Sequence, residues 1–409
     1  MSSLRINEER LWSSLMEMAQ FGLTPKGGCA RLTLTDLDKQ ARELFIAWCE
    51  AAGCTITVDQ IGNIFALRPG KNMALPPVGT GSHLDTQPTG GKFDGVFGVL
   101  SGVEVLRTLQ DNNVETEAPI EVSVWTNEEG SRFPPAMMGS GVVAGRLDLN
   151  AMLAVQDTAG VTVGEELKRI GFDGDVPATG RAYTAFFETH IEQGPYLENE
   201  DKIIGVVTKG QGQRWYNVVL TGRESHAGTT PMHLRKDALT AASALVLEVQ
   251  KIANAHKPGC GTVGFMQVFP NSRNTIPGKV SMGVDLRHPE DDVLSQMDAE
   301  LKAFLEQLSD SADVEIDLDP YWHYAPVDFN ADCIEAVREG AETNGFDYME
   351  IIAGAGHDAC YVADFAPASM IFTPCKDGIS HNEIESTTTE ECAAGCNVLL
   401  QAMLKMAGT

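Results

Sequence analysis

Gly79-Thr-Gly-Ser-His83-Leu-Asp85-Thr-Gln-Pro-Thr-Gly90-Gly91-Lys-Phe-Asp94-Gly95-Val-Phe-Gly-Val99 is the stretch on which the fold turns. Its apolar approach, Leu75 to Val78, predicts a buried strand over Pro76–Ser82. A Pro/Gly turn ends that strand, and the apolar residues from Phe97 to Leu109 predict a helix. Open α/β sheets bind their ligands beyond the carboxyl ends of the strands, the place that His83, Asp85 and Asp94 occupy. His83 offers an imidazole nitrogen to a borderline cation, and the two oxygens of Asp94 suffice to bridge two cations. Asp85 is expected to accept the other ring N–H of His83 and fix its tautomer. Gly90, Gly91 and Gly95 let the backbone turn between these groups. A solvated strand–turn–helix connection, with Asp94-Gly95 serving as turn chemistry, fits this stretch as well.

Working outward, helices and strands alternate. A helix is predicted over Leu37–Ala52, strands over Cys54–Val58, Asn63–Leu67, Pro119–Thr126 and Ala185–Thr189, which is an α/β pattern with a central sheet. The character changes near Gln213. Strand Arg214–Thr221, helix Leu234–His256, strands Thr262–Phe269 and Lys279–Arg287, helix Val293–Leu308 and strand Val314–Asp319 spell β-α-β-β-α-β, the ferredoxin-like order. After Pro326 the α/β character returns, with helices Ala331–Asn344 and Thr389–Met406 and strands Tyr348–Ile352 and Ser369–Phe372. The expected organisation is a catalytic domain in two parts, 1–212 and 327–409, with an inserted domain at 213–326.

Bulk properties narrow the function. The 409 residues carry a formal charge of -27 with 43% hydrophobic residues, a soluble globular composition whose field repels phosphate backbones and argues against nucleic-acid binding. The N-terminus, Met-Ser-Ser-Leu-Arg-Ile, lacks the apolar core of a signal peptide, and no stretch has the length of a membrane span. Nine scattered cysteines without a Cys-x-x-Cys pair point to reduced thiols and a cytoplasmic setting.

More groups that can carry chemistry stand at strand ends. Glu128 and Glu129 follow the Pro119–Thr126 run; a turn there can aim both at one cleft, one as metal ligand and the other as general base. His190 closes Glu188-Thr-His190, and His381 lies in a Gly-bearing loop before the last helix. Each by itself fits a hydrogen-bonded structural residue. Together, His83, Asp94 and His190 can hold one cation, and Asp94, Glu129 and His381 a second. The N/O donor set suits zinc, with manganese, cobalt or nickel possible. In the inserted domain, His226, Asn274 and Arg287 form a polar set; Arg287 is suited to a bidentate grip on a carboxylate, or to a surface ion pair. Gly356 and His357 sit in a further glycine-rich loop, an active-site wall. His-Glu-x-x-His, Gly-x-Ser-x-Gly and a P-loop are absent.

The ordered set His83-x-Asp85, Gly-Gly-Lys-Phe-Asp94-Gly, Asn-Glu128-Glu129-Gly, His190-Ile-Glu-Gln193-Gly-Pro, Ser225-His226-Ala-Gly-Thr-Thr-Pro-Met, Arg235-Lys-Asp-Ala, Gly-Ala-Gly356-His357-Asp-Ala and Asp-Gly-Ile-Ser-His381 resembles the dinuclear-zinc amidohydrolases. These are the N-carbamoyl-L-amino acid hydrolases, β-ureidopropionases and allantoate amidohydrolases, related to aminoacylases and carboxypeptidases of the same fold. His190 looks like the carbamoylase branch, since the peptidase relatives tend to carry a carboxylate there. Ala353 departs from the pattern, which commonly has Ser before Gly-Ala-Gly-His. The resemblance implies two divalent metals, Glu128 as the acid–base group, and a homodimer in which His226 of the partner subunit stabilises the oxyanion. It further implies that Arg287, Asn274 and the Gly356–His357 loop hold a substrate carboxylate, that Gln193 contacts the ureido or carboxylate end, and that a hinge falls near Gln211–Gln213 and Pro326. The loop around His381 looks nearer to the carbamoylases than to the allantoate enzymes.

Overall fold

The structure, a computed structural model, describes residues 4–409; the first three residues, part of the stretch read above for a signal peptide, lie outside it. The chain divides into two compact units, one formed by the chain up to Thr208 together with Asp328–Thr409, the other by Lys209–Val327.

The larger unit is built on a nine-stranded mixed sheet. Four strands at its centre run parallel, in the order Ile120–Trp125, Val78–His83, Ala185–Ile191, Ala368–Thr373. All residues of these four strands are buried, as expected where helices cover a parallel sheet on both faces. Antiparallel strands extend the sheet, Ile64–Arg68 and then Thr55–Val58 on one side and Ile204–Gly210 on the other. Helices Glu8–Met18, Val96–Asp111, Ala331–Asn344 and Thr389–Ala407 pack on one another and share one apolar core. Thr388 and Glu391 form a reciprocal capping box that starts the last helix one residue beyond its cap. Because the central strands are parallel, their carboxyl ends open on one edge, and the loops after His83, Trp125, Ile191 and Thr373 gather there.

The inserted unit is a four-stranded antiparallel sheet ordered Glu315–Tyr324, Gly212–Thr221, Lys279–His288, Cys260–Phe269. Helices Ala238–Ala255 and Asp291–Ala312 share a core of alternating strand residues such as Val218, Leu220, Val280, Met282 and Leu286. The first helix begins four residues later than its apolar spacing suggests. Asp237 caps it, its side chain accepting from the backbone N–H groups of Leu239 and Thr240, while Met232–Leu234 form a separate 3-10 turn. Among the described residues no helix is long and apolar enough to cross a membrane, and all nine cysteines are free.

Candidate active site

The five donors expected from sequence meet at the carboxyl edge of the large sheet. His83 ends its strand, and its Nδ1 donates to the backbone carbonyl of Asp85 at 2.8 Å. That leaves the Nε2 lone pair facing Asp94, 3.8 Å from Oδ1. His190 repeats the arrangement: Nδ1 donates to the Ile191 carbonyl at 2.8 Å, and Nε2 lies 3.1 Å from the same Asp94 oxygen. The other oxygen of Asp94 is 3.2 Å from Nε2 of His381, which is also 3.5 Å from Glu129. Within each of the two sets, His83–Asp94–His190 and Asp94–Glu129–His381, the donor atoms lie within 4.8 Å of one another. Donors about 2.0–2.1 Å from a tetrahedral cation stand about 3.3 Å apart. The observed separations of 3.1–3.8 Å therefore fit such an ion in each set, with Asp94 giving one oxygen to each.

Local backbone choices make this possible. Gly95 has φ +68°, and a Cβ there would lie 2.3 Å from the His83 ring, so only glycine lets Asp94 follow so closely on the imidazole. Asn127 takes a left-handed conformation (φ 58°) at the end of its strand and turns Glu128 and Glu129 toward the same edge. Gln193 and His381 are left-handed too (φ 58° and 53°), a concentration of strained residues in the loops around one cluster.

Asp85 corrects an expectation. Its carboxylate stands 3.9 Å from His83 Nδ1, and its backbone carbonyl takes the ring proton instead. The chain leaves the strand after His83, so the i, i+2 alternation that would align the two side chains stops. The carboxylate accepts the backbone N–H groups of Glu128 and Glu129, both at 3.3 Å, and so orients the acid pair. Gln193 Nε2 donates to Asp94 Oδ2 and to Ser380 Oγ, both at 3.1 Å.

Electrostatics set the cluster apart from the rest of the molecule. Burial, reinforced by Asp358, Glu129, Asp85 and Asp94, pushes the Glu128 carboxyl well above the carboxylate range. Burial and Asp94 lift Glu129 to about 8. Burial lowers His83 to about 4. Burial also disfavours the charged form of His190, but the hydrogen bond and charge of Asp94 outweigh it and raise the ring to about 9. The hydrogen bond to Asp94 raises His381 to about 9. Like charges 4 Å apart repel by about 4 kcal/mol at an effective dielectric of about 20, so Glu128, Glu129 and Asp94 cannot all ionise without positive charge among them. Protons on His190 and His381 supply part of it; a divalent cation in each set would supply more.

Several neighbours of the cluster give no signal of their own in the sequence. Gln87 holds Glu129 by its backbone N–H (3.1 Å) and its side-chain Nε2 (2.7 Å). Glu188, buried, accepts from Ser82 Oγ (2.6 Å) and from the Ala359 backbone N–H (2.7 Å). Glu188, His190 and His357 also bring donor atoms within 4.8 Å. His190 has only Nε2 to give, since its Nδ1 donates to Ile191, and that nitrogen already belongs to the first set, so this group supports the same site and is not a third one. His357 is buried, its ring 4.5 Å from that of His190, as a wall of the site. Gly356 precedes it in the same loop.

The remaining predicted residues belong to the inserted unit. His226 is exposed, and its Nδ1 accepts the backbone N–H groups of Gly228 (3.0 Å) and Thr229 (3.2 Å), so the neutral ring carries its proton on Nε2. Arg287 clasps Asp285 of its own strand, Nη2 to Oδ2 at 2.8 Å, which is the ion pair that sequence reading held open. Asn274 is exposed; its carbonyl accepts from Ala227 at 2.9 Å.

Two three-donor sets sharing one carboxylate, with a further acid against them, are the equipment of a metal-dependent hydrolase. The chain belongs to peptidase family M20/M25/M40, whose family model matches residues 79–405. It is 49% identical over 404 residues to an N-carbamoyl-L-amino-acid amidohydrolase of Rhizobium meliloti, covering 98% of this chain and 97% of that one. A crystal structure of an amidase of the hydantoinase/carbamoylase family from Burkholderia multivorans superposes with a TM-score of 0.93 at 56% identity, covering 99% of this chain and 98% of that one. An allantoate amidohydrolase of Bacillus subtilis is 33% identical, covering 95% of each chain. The likeness read from the motifs, and the α/β fold it implied, are borne out.

Proposed function

We propose that the protein hydrolyses the carbamoyl C–N bond of an N-carbamoyl amino acid, releasing the amino acid, CO2 and ammonia. The convergence of His83, Asp94, Glu129, His190 and His381 beside Glu128 carries this reading. Two divalent cations of the zinc class, held one by each donor set, supply a Lewis acid for the carbamoyl oxygen and an acidified water when bound. Glu128, 3.5 Å from His83 Nε2 and free of both donor sets, takes the proton of the attacking water. It then gives that proton to the departing amine, and the carbamic acid left behind breaks down to CO2 and ammonia.

His226, reaching across the proposed homodimer from the partner subunit, is the proposed oxyanion donor; two backbone N–H contacts at Nδ1 leave Nε2 as the donating nitrogen. Arg287, Asn274 and the Gly356–His357 loop are the proposed holders of the substrate carboxylate, with Arg287 exchanging Asp285 for the substrate. Gln193, already bonded to Asp94, is the proposed contact of the ureido or carboxylate end of the substrate. We also propose a homodimer formed through the inserted unit. Its edge strand Cys260–Phe269 leaves Phe265, Met266 and Phe269 exposed, the kind of open apolar edge that a second strand covers. Free thiols throughout support work in the cytoplasm.

The higher identity to a carbamoyl-amino-acid enzyme than to an allantoate enzyme ranks the substrates. Ammonia release from N-carbamoyl-L-amino acids, N-carbamoyl-β-alanine and allantoate tests that ranking. Turnover is expected on a carbamoyl amino acid; turnover on allantoate alone overturns it.

A further inference from the structure

We propose that Glu385 is a positioning residue that ties the shared ligand Asp94 to the loop carrying His381, and that Gly91 exists to let it in. This rests on reading the cluster as a two-cation centre.

Glu385 lies four residues beyond His381 and is 3% exposed. One oxygen accepts the backbone N–H groups of Phe93 (2.9 Å) and Asp94 (3.1 Å). The other accepts Ser380 Oγ at 2.7 Å. Ser380 precedes His381, and its hydroxyl also lies 3.2 Å from Asp94 Oδ2, the oxygen that faces His381. A single carboxylate thus grips the main chain of one ligand loop and the side chain next to the ligand of the other. Burying a carboxylate is costly unless donors replace its water, and here all three donors come from residues at or beside candidate ligands.

The turn before Asp94 is shaped for this acid. A Cβ built on Gly91 would lie 2.0 Å from the Glu385 carboxyl carbon and from Oε1, and 2.4 Å from Oε2. The head of Glu385 is fixed by its hydrogen bonds, so an alanine at 91 displaces it without changing any charge. Two separate substitutions therefore break one contact, which makes the inference testable by a double-mutant cycle.

The measurement is cobalt(II) titration of metal-free protein, with visible absorption reporting the coordination of each bound ion and calorimetry reporting affinity. In wild type two ions bind. Glu385→Ala and Gly91→Ala each weaken the ion held by Asp94, Glu129 and His381 by about ten- to a hundredfold, the usual effect of removing a ligand's support. The double variant is no weaker than Glu385→Ala, because the displaced group is already gone. Glu385→Gln recovers most of the affinity, since its amide oxygen still accepts from Phe93 and Asp94. Turnover follows occupancy of that ion, with KM unmoved. Gly91→Ala carries the same test if Glu385→Ala does not fold. Wild-type affinity in both single variants, or losses that add in the double variant, overturn the proposal. A wild type that binds no cobalt overturns the two-cation reading itself.

Discussion

The two halves of the cluster are built from the same chemistry on different supports. His83 ends a fully buried strand and His190 is the last residue but one of another, and backbone carbonyls one or two residues away hold their Nδ1 protons. Their positions are set by the sheet. On the other half, His381 sits in a loop with φ 53° and a side chain 53% exposed, and Glu129 depends on Gln87 for its orientation. Asp94 joins the halves, one oxygen on each side. The contrast teaches that equal donor sets need not hold equally. A cation on the strand side would exchange only if the sheet edge opened, while one on the loop side would need only the loop to move. A chelator is expected to remove the two ions in separate phases, the loop-side ion first.

Replacing Glu128 has the largest expected effect. Glu128→Gln removes the proton carrier but no donor of either set, so kcat falls by about 10²–10⁴ while both ions remain, by metal analysis. Unchanged kcat would remove Glu128 from its role, and loss of metal would move it among the ligands. Asp85→Asn comes next. Its carboxylate supports the Glu128–Glu129 backbone, whereas the His83 ring is held by the residue's own carbonyl, which the substitution leaves in place. Affinity on the loop side should fall about tenfold or more with the strand side unchanged; equal losses on both sides would erase the distinction.

The pH response follows from the same cluster. His190 and His381 are raised to about 9 and Glu129 to about 8, so at pH 7 all three hold protons in the metal-free protein. A cation binds the deprotonated forms, so binding at pH 7 releases protons and apparent affinity rises with pH, levelling above about 9. Calorimetry in buffers of different ionisation heat counts those protons. Affinity that falls as pH rises from 7 to 9 would contradict the assignment.

Much of this was legible in the sequence because the fold is periodic where the donors sit. Apolar runs that end in His83, Trp125 and His190 mark parallel strands, and their carboxyl ends share one edge of the sheet. What was not legible lies in contacts that periodicity does not encode. The i, i+2 spacing of His83 and Asp85 aligns their side chains only while the strand continues, and it ends at His83. Helix Ala238–Ala255 starts at its aspartate cap, not at the first apolar position of its spacing. Glu385 and Glu188 are ordinary acids in sequence, and their partners lie 5 to 292 residues away. Gly91 announces a close approach without naming what approaches.

Two cations sharing Asp94 is the feature on which the rest depends. Counting the zinc retained after dialysis by wild type, His190→Ala, His381→Ala and Asp94→Ala tests it most directly. Two equivalents are expected in wild type, one in each histidine variant and none in Asp94→Ala. A wild type holding fewer than two, or an Asp94→Ala variant that keeps both, would contradict it.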